Sequence, residues 1–227
     1  MKISILIIGL MSILSNLFSQ ETKISGKLDK IGYFDLITDT IKKELIKKKI
    51  DIEYDNDDNP YIGKEWLIIP NDYYISSVND LEENNNGSST SDFRAFEVWG
   101  SSLFQGEFQD YLKSASVVFK KNGLKLEWKD EIFDENTTER IHHRITVNEI
   151  EYIIYSGAVS RDLLGKVMYA YLNSFKDILN DVIQRQKSDL KVVILTQPEC
   201  VMFVLLSPDK LNGFKKIISG TKNKLEE

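Results

Sequence analysis

Residues 162–206 constrain the fold more than any other stretch of this sequence. Within 162–185, Leu164, Val167, Met168, Tyr171, Leu172, Phe175, Leu179, Val182 and Ile183 recur at spacings of three and four, which draws one continuous apolar stripe. The spacing predicts a single long helix with a full core-facing side. Two apolar runs follow, residues 191–196 and 200–206, separated by Gln197-Pro198-Glu199. Both are rich in Val, Leu and Ile and carry little alternation, as strands covered on both faces do, so they belong in the middle of a sheet. Ser207-Pro208-Asp209 then supplies a cap, a proline for the first helical position and an acid for the first turn, which predicts a helix from 210 to 218. The Lys-rich residues beyond it read as a solvated, fraying tail.

The remainder supplies the elements this block packs against. In 34–50, Leu36, Ile37, Ile41, Leu45, Ile46 and Ile50 face one way and lysines the other, an amphipathic helix ending before the acidic stretch 51–59. Residues 65–70 read as a short strand and 73–78 as its hairpin partner. Residues 82–92 are dominated by Glu, Asn, Gly, Ser and Thr, the chemistry of a flexible loop. Phe108, Tyr111, Leu112, Ala115, Val118 and Phe119 predict a helix stopped at Asn122-Gly123. Leu124, Leu126 and Trp128 alternate with charged residues, the pattern of a half-buried strand. Residues 145–147 and 150–155 read as two strands about Asn148-Glu149. Adjacent strands on short turns imply antiparallel pairing, so the expectation is an α+β fold: an antiparallel or mixed sheet with amphipathic helices packed on it, the longest at 162–185.

The N-terminus belongs to a different class of segment. Met1-Lys2 precedes an apolar run from Ile3 to Leu14, and Ser15, Asn16, Ser19 and Gln20 follow. This order resembles a bacterial Sec signal peptide, which implies export to the periplasm or beyond. A cut after Ser19 divides the chain into 1–19, a signal peptide, and 20–227, a single α+β domain. The run is shorter than the roughly 20 residues a membrane span needs, so a retained anchor is the weaker reading and the only membrane contact expected. Removing 19 of 227 residues leaves 208, and losing Lys2 leaves 28 basic against 35 acidic groups, a net charge of −7. The single Cys200 suits an oxidising compartment if buried.

Composition narrows the function. With 42% hydrophobic residues the chain is too apolar for disorder, and one cysteine excludes a disulfide framework and thiol-built metal modules. The acidic balance argues against nucleic-acid binding, which draws on clustered Lys and Arg. Lys42, Lys43, Lys47, Lys48 and Lys49 form one basic helix face that reads as solvated. The two histidines, His142 and His143, are adjacent and match no zinc-protease pattern; beside Arg140 and Arg144 they read as a surface pair. Ser-x-x-Lys matches at Ser188, Ser207 and Ser219 lack their companion motifs. The acidic stretch from Asp55 fails the EF-hand pattern at Pro60 and Trp66. Glu127, Asp130, Glu131, Asp134 and Glu135 could pair as catalytic carboxylates, but acids are common here. Among Phe93, Phe96, Trp99, Phe104, Phe108 and Tyr111, core is the ordinary fate, and Trp99, Phe104 and Tyr111 are the candidate binding residues. No catalytic residue, metal ligand or cofactor is indicated. The expectation is an exported, non-enzymatic binding or interaction protein, an inhibitor or immunity-type partner of another envelope or secreted protein. The alternatives are a hydrolase using carboxylates or one histidine, and a structural or assembly component.

Overall fold

The computed structural model describes residues 23–55, 65–69, 73–75, 88–90, 92–137, 140–198 and 200–227. The signal-like residues 1–22, the acidic residues 56–60 and loop residues 81–87 lie outside the described residues. In chain order the elements are α1 (Ile24–Lys30), α2 (Thr40–Tyr54), β1 (Tyr73–Ile75), β2 (Ser88–Thr90), β3 (Ala95–Val98), α3 (Gly100–Phe104) and α4 (Phe108–Lys121). Next come β4 (Trp128–Thr137), β5 (Arg140–Val147), β6 (Ile150–Ala158), α5 (Leu164–Arg185), β7 (Lys191–Thr196), β8 (Val201–Leu206), α6 (Pro208–Ile218) and β9 (Lys224–Glu226). The class is α+β.

A four-stranded antiparallel sheet in the order β3-β8-β7-β9 forms the middle layer. The two continuously apolar runs are its interior strands, and strand alternation sends their side chains into two separate cores. Phe96, Val98, Val192, Ile194, Phe203 and Leu205 face α4, α5 and the three-stranded meander β4-β5-β6. Ala95, Val193, Leu195, Met202, Val204 and Leu206 face α1, α2 and α6. The long helix runs where its stripe requires, with Val167, Tyr171, Phe175, Leu179, Val182 and Ile183 buried. On the other face α6 comes so close to the α1 turn that a Cβ at Gly213 would stand 2.4 Å from Ile31 Cγ2, which only glycine permits.

Several elements depart from the sequence expectation. The helix expected at 34–50 is α2, which starts at Asp39, whose carboxylate caps the amides of Ile41 and Lys42, and runs on to Tyr54. It continues through Asp51 because that acid is buried, accepting from the Ser25 amide at 3.0 Å and the Ser25 hydroxyl at 2.7 Å. Residues 66–69 are extended but join no sheet. The Asn223 side chain pairs with both the amide and the carbonyl of Leu67, and Gln197 donates to the Ile69 carbonyl. The alternating residues 124–127 are likewise held by side-chain amides: Gln186 bonds both polar groups of Lys125, and Asn148 bonds Lys125 and Glu127. The strand begins only at Trp128 and takes in the acidic residues after it. In the loop region, Ser88–Thr90 pairs with Tyr73–Ile75, and Asp92 is buried against the Tyr33 hydroxyl. The tail expected to fray forms β9 on the edge of β7.

Candidate functional site

The structure corrects the reading of the two histidines as a surface pair. In a strand adjacent residues point to opposite faces, so β5 turns His142 to solvent and His143 toward the upper core, the one under α4 and α5 (the lower core being that under α1, α2 and α6), where it is fully buried. His142 lies between Asp134 of β4 and Ser156 of β6 on the outer side of the meander. Two of the three register shifts in this sheet bracket Arg144, and the third lies on β4 between Asp134 and Thr137. On β4, Asp130 and Glu131 together oppose Ile145, with Asp130 in the left-handed region at φ 53°; on β6 the register slips beside Ile154. The β4 bulge brings Glu131, one of the candidate acids, inward with His143.

Glu131 Oε1 lies 2.8 Å from His143 Nε2, and the Tyr171 hydroxyl lies 3.3 Å from Nδ1. The Nε2–H donates to the Glu131 carboxylate, leaving Nδ1 to accept from the Tyr171 hydroxyl, so the bonding pattern assigns the tautomer. Phe108 and Phe133 stand edge-on to the imidazole with ring centroids at 5.7 and 5.0 Å. Tyr155 stacks on Tyr171 at 5.4 Å. Burial, with Tyr155 and Glu131 adding to it, pushes the Tyr171 hydroxyl well above the ordinary tyrosine range. Both imidazole nitrogens are engaged by the protein, and the hydroxyl on Nδ1 belongs to Tyr171, itself fully buried. The arrangement has the composition of a carboxylate-imidazole-hydroxyl chain. Its chemistry is that of a satisfied polar plug in an aromatic core. Among the described residues no buried side-chain nitrogen or oxygen lacks a hydrogen-bond partner.

The candidate aromatic residues separate. Phe104 packs partly buried, edge-on to Tyr171 at 6.0 Å, and Tyr111 lies 6.5 Å from Phe175. Trp99 is 46% exposed, at the junction where β3 turns into α3. Its neighbour Gly100 is pressed against α5, where a Cβ would lie 3.3 Å from Met168 Cβ and 3.4 Å from Leu172. Leu164, 37% exposed, is one helical turn before Met168. Leu164, Met168 and Leu172 are four residues apart, so they lie on one line of α5, and Gly100 packs on it between Met168 and Leu172. Sequence reasoning missed this line as a surface because its residues belong to the same stripe that makes the core.

Two further openings lie elsewhere on the surface. A groove of about 510 Å³ between α1 and α2 is lined by Lys23, Ile41, Glu44, Leu45 and Lys48, and its buried acid, Asp51, is already bonded to Ser25. A cavity of about 440 Å³ lies beside the start of β7, between Lys176, Asn180, Asp189, Lys191 and Glu227. Among the described residues no group of three or more His, Cys, Asp or Glu side chains could hold a metal ion. No described helix is long and apolar enough to cross a membrane. Comparison with protein-family models, curated proteins and solved structures yields no match to this chain.

Proposed function

We propose that the chain is an exported interaction protein that acts by binding another envelope or secreted protein rather than by catalysis. The observation that carries this reading is the half-exposed Trp99, a large rigid aromatic next in sequence to Gly100, which packs on Met168 and Leu172 of α5. Trp is the residue type most often found at the energetic centre of protein interfaces. The engaged His143 supports the same side of the choice, since the chain's buried imidazole is spent on packing. Export rests on the residues 1–20 and their signal-like order.

Photo-crosslinking in cells tests the proposal. A photoreactive amino acid placed at position 99 is expected to give one discrete adduct. The same group at Val117, an exposed apolar residue of α4, is expected to give none. Equal adducts from both positions, or none from 99, would count against an interface at Trp99. Sequencing of the exported protein is expected to begin at Gln20.

A further inference from the structure

Strand β9 is a short edge strand gripped from three sides. Its three residues pair with Ile194, Leu195 and Thr196 of β7, and of its side chains Leu225 packs partly buried on the lower core. The rest of the grip is polar. From α5, the Tyr169 hydroxyl donates to Glu226 at 2.8 Å, and the Lys176 ammonium donates to the main-chain oxygen of Glu227 at 2.8 Å. From β7, Lys191 Nζ lies 3.2 Å from the Glu227 carboxylate, and Lys215 of α6 pairs with its other oxygen. Lys215 first, and then Lys191, hold the Glu227 carboxyl below the usual carboxylate range. Lys176 is almost fully buried, and its other acidic neighbour, Asp177, stands 3.9 Å away. A buried lysine that reaches a main-chain oxygen is a built feature, because an ammonium taken out of water is costly unless it is bonded.

The same face of α5 carries on past the end of β9. Asn180, four residues beyond Lys176, bonds both the amide and the carbonyl of Val192, which substitutes for the next residues of a neighbouring strand. Beside it lies the 440 Å³ cavity, with Lys176, Lys191 and Glu227 on its near wall and Asp177 and Asp189 also in its lining. The edge of β7 is therefore a groove with side-chain grips along its length, filled over Ile194 to Thr196 and open beside Lys191.

We infer that this edge of β7 is a strand-accepting groove, that Lys224–Glu227 is its resident occupant in cis, and that the partner it takes is an extended segment with an apolar-acidic-acidic sequence. The partner adds to β7 through main-chain bonds, sets its apolar residue where Leu225 sits and its two acids against Tyr169, Lys191 and Lys215, and continues into the cavity. Main-chain pairing at a sheet edge supplies the affinity and side-chain grips the selectivity. The cis strand raises the threshold, since a tethered occupant acts at an effective concentration in the millimolar range. This deepens the reading of the chain as an interaction protein and names a class of partner for it.

The test uses a chain lacking Lys224–Glu227 and, as probe, a labelled synthetic peptide of residues 221–227. The shortened chain is expected to bind the peptide saturably, and the intact chain at least about tenfold more weakly because its own strand competes. A peptide with both terminal acids replaced by Gln is expected to bind about fivefold more weakly, the worth of two half-exposed ion pairs. A shortened chain that keeps its circular-dichroism spectrum and binds neither peptide, or binds both equally, overturns the inference. Should the shortened chain not fold, the full-length K191Q/K215Q variant decides: amide exchange of residues 224–226 is expected to accelerate several-fold with β8 unchanged, and unchanged exchange overturns it. Crosslinking from position 99 reads the Trp99 surface independently, so either idea can fail alone.

Discussion

The buried cluster of Glu131, His143 and Tyr171 and the edge grip of Tyr169, Lys176, Lys191 and Lys215 are both built from polar groups on or around α5, yet they face opposite fates. In the first, both imidazole nitrogens are matched by Glu131 and Tyr171 inside an aromatic wall, with His143 and Tyr171 fully buried. In the second, the groups hold a strand of three residues, whose place we propose another strand can take. Residue type alone does not separate them, because a carboxylate-histidine-tyrosine chain looks more functional than a row of lysines. What separates them is whether the partner can be exchanged. A sealed network contributes to one native arrangement, whereas a half-exposed one can contribute to two.

That contrast orders the expected effects. The largest belongs to the sealed cluster: His143→Leu leaves Glu131 buried without its partner and is expected to cost about 3–5 kcal/mol in urea unfolding. The E131L/H143L double variant is expected to recover most of that loss, and a double variant no more stable than the single one would contradict a sealed pair. Asn223→Ala strips the Leu67 amide and carbonyl of their side-chain partner and is expected to cost about 1–3 kcal/mol by the same measurement. Tyr152 offers a smaller effect with a defined sign. Burial first, and then its bond to Asp181, raise its hydroxyl to about 12. A group whose folded value is raised stabilises fully below its unfolded value and loses that contribution as pH rises, here between the ordinary tyrosine range near 10 and about 12. Alkaline absorbance titration of a Tyr152→Phe variant should lack this late-ionising phenol. The smallest effect is at the edge: Glu227→Gln is expected to change global stability by no more than about 0.5 kcal/mol, the worth of half-exposed ion pairs. Because the Glu227 carboxyl is held low, its contribution is present at neutral pH and fades as pH falls through the folded value.

The parts of the fold that sequence made legible are those in which one periodicity runs long enough to be read. The stripe at 162–185 became α5, the paired apolar runs became β7 and β8, and residues about Asn148-Glu149 became a hairpin whose two turn residues both have positive φ, at 45° and 68°. What stayed illegible has a common cause. Residues 66–69 and 124–127 carry strand-like patterns, but their main-chain groups are satisfied by Asn223, Gln197, Gln186 and Asn148 from distant parts of the chain, and no local pattern records such a partner. Seven-residue α1 is too short for a period to show, and the tail reads as solvated because its anchors, Lys176 and Lys215, lie on other elements. His143 is the sharpest case. The alternation Ile141, His143, Ile145, Val147 was visible and would have turned it inward, but the two arginines beside the histidine pair suggested a polar surface.

Native-state hydrogen exchange in low and high salt tests the contrast between sealed and exchangeable most directly. The account predicts that the amides of Leu225 and Glu226 exchange by a local opening that salt accelerates, while the protected amides of β5 around His143 exchange only by global unfolding and ignore salt. Equal protection at the two places, with no effect of salt on either, would show β9 to be as permanent as the core and would contradict it.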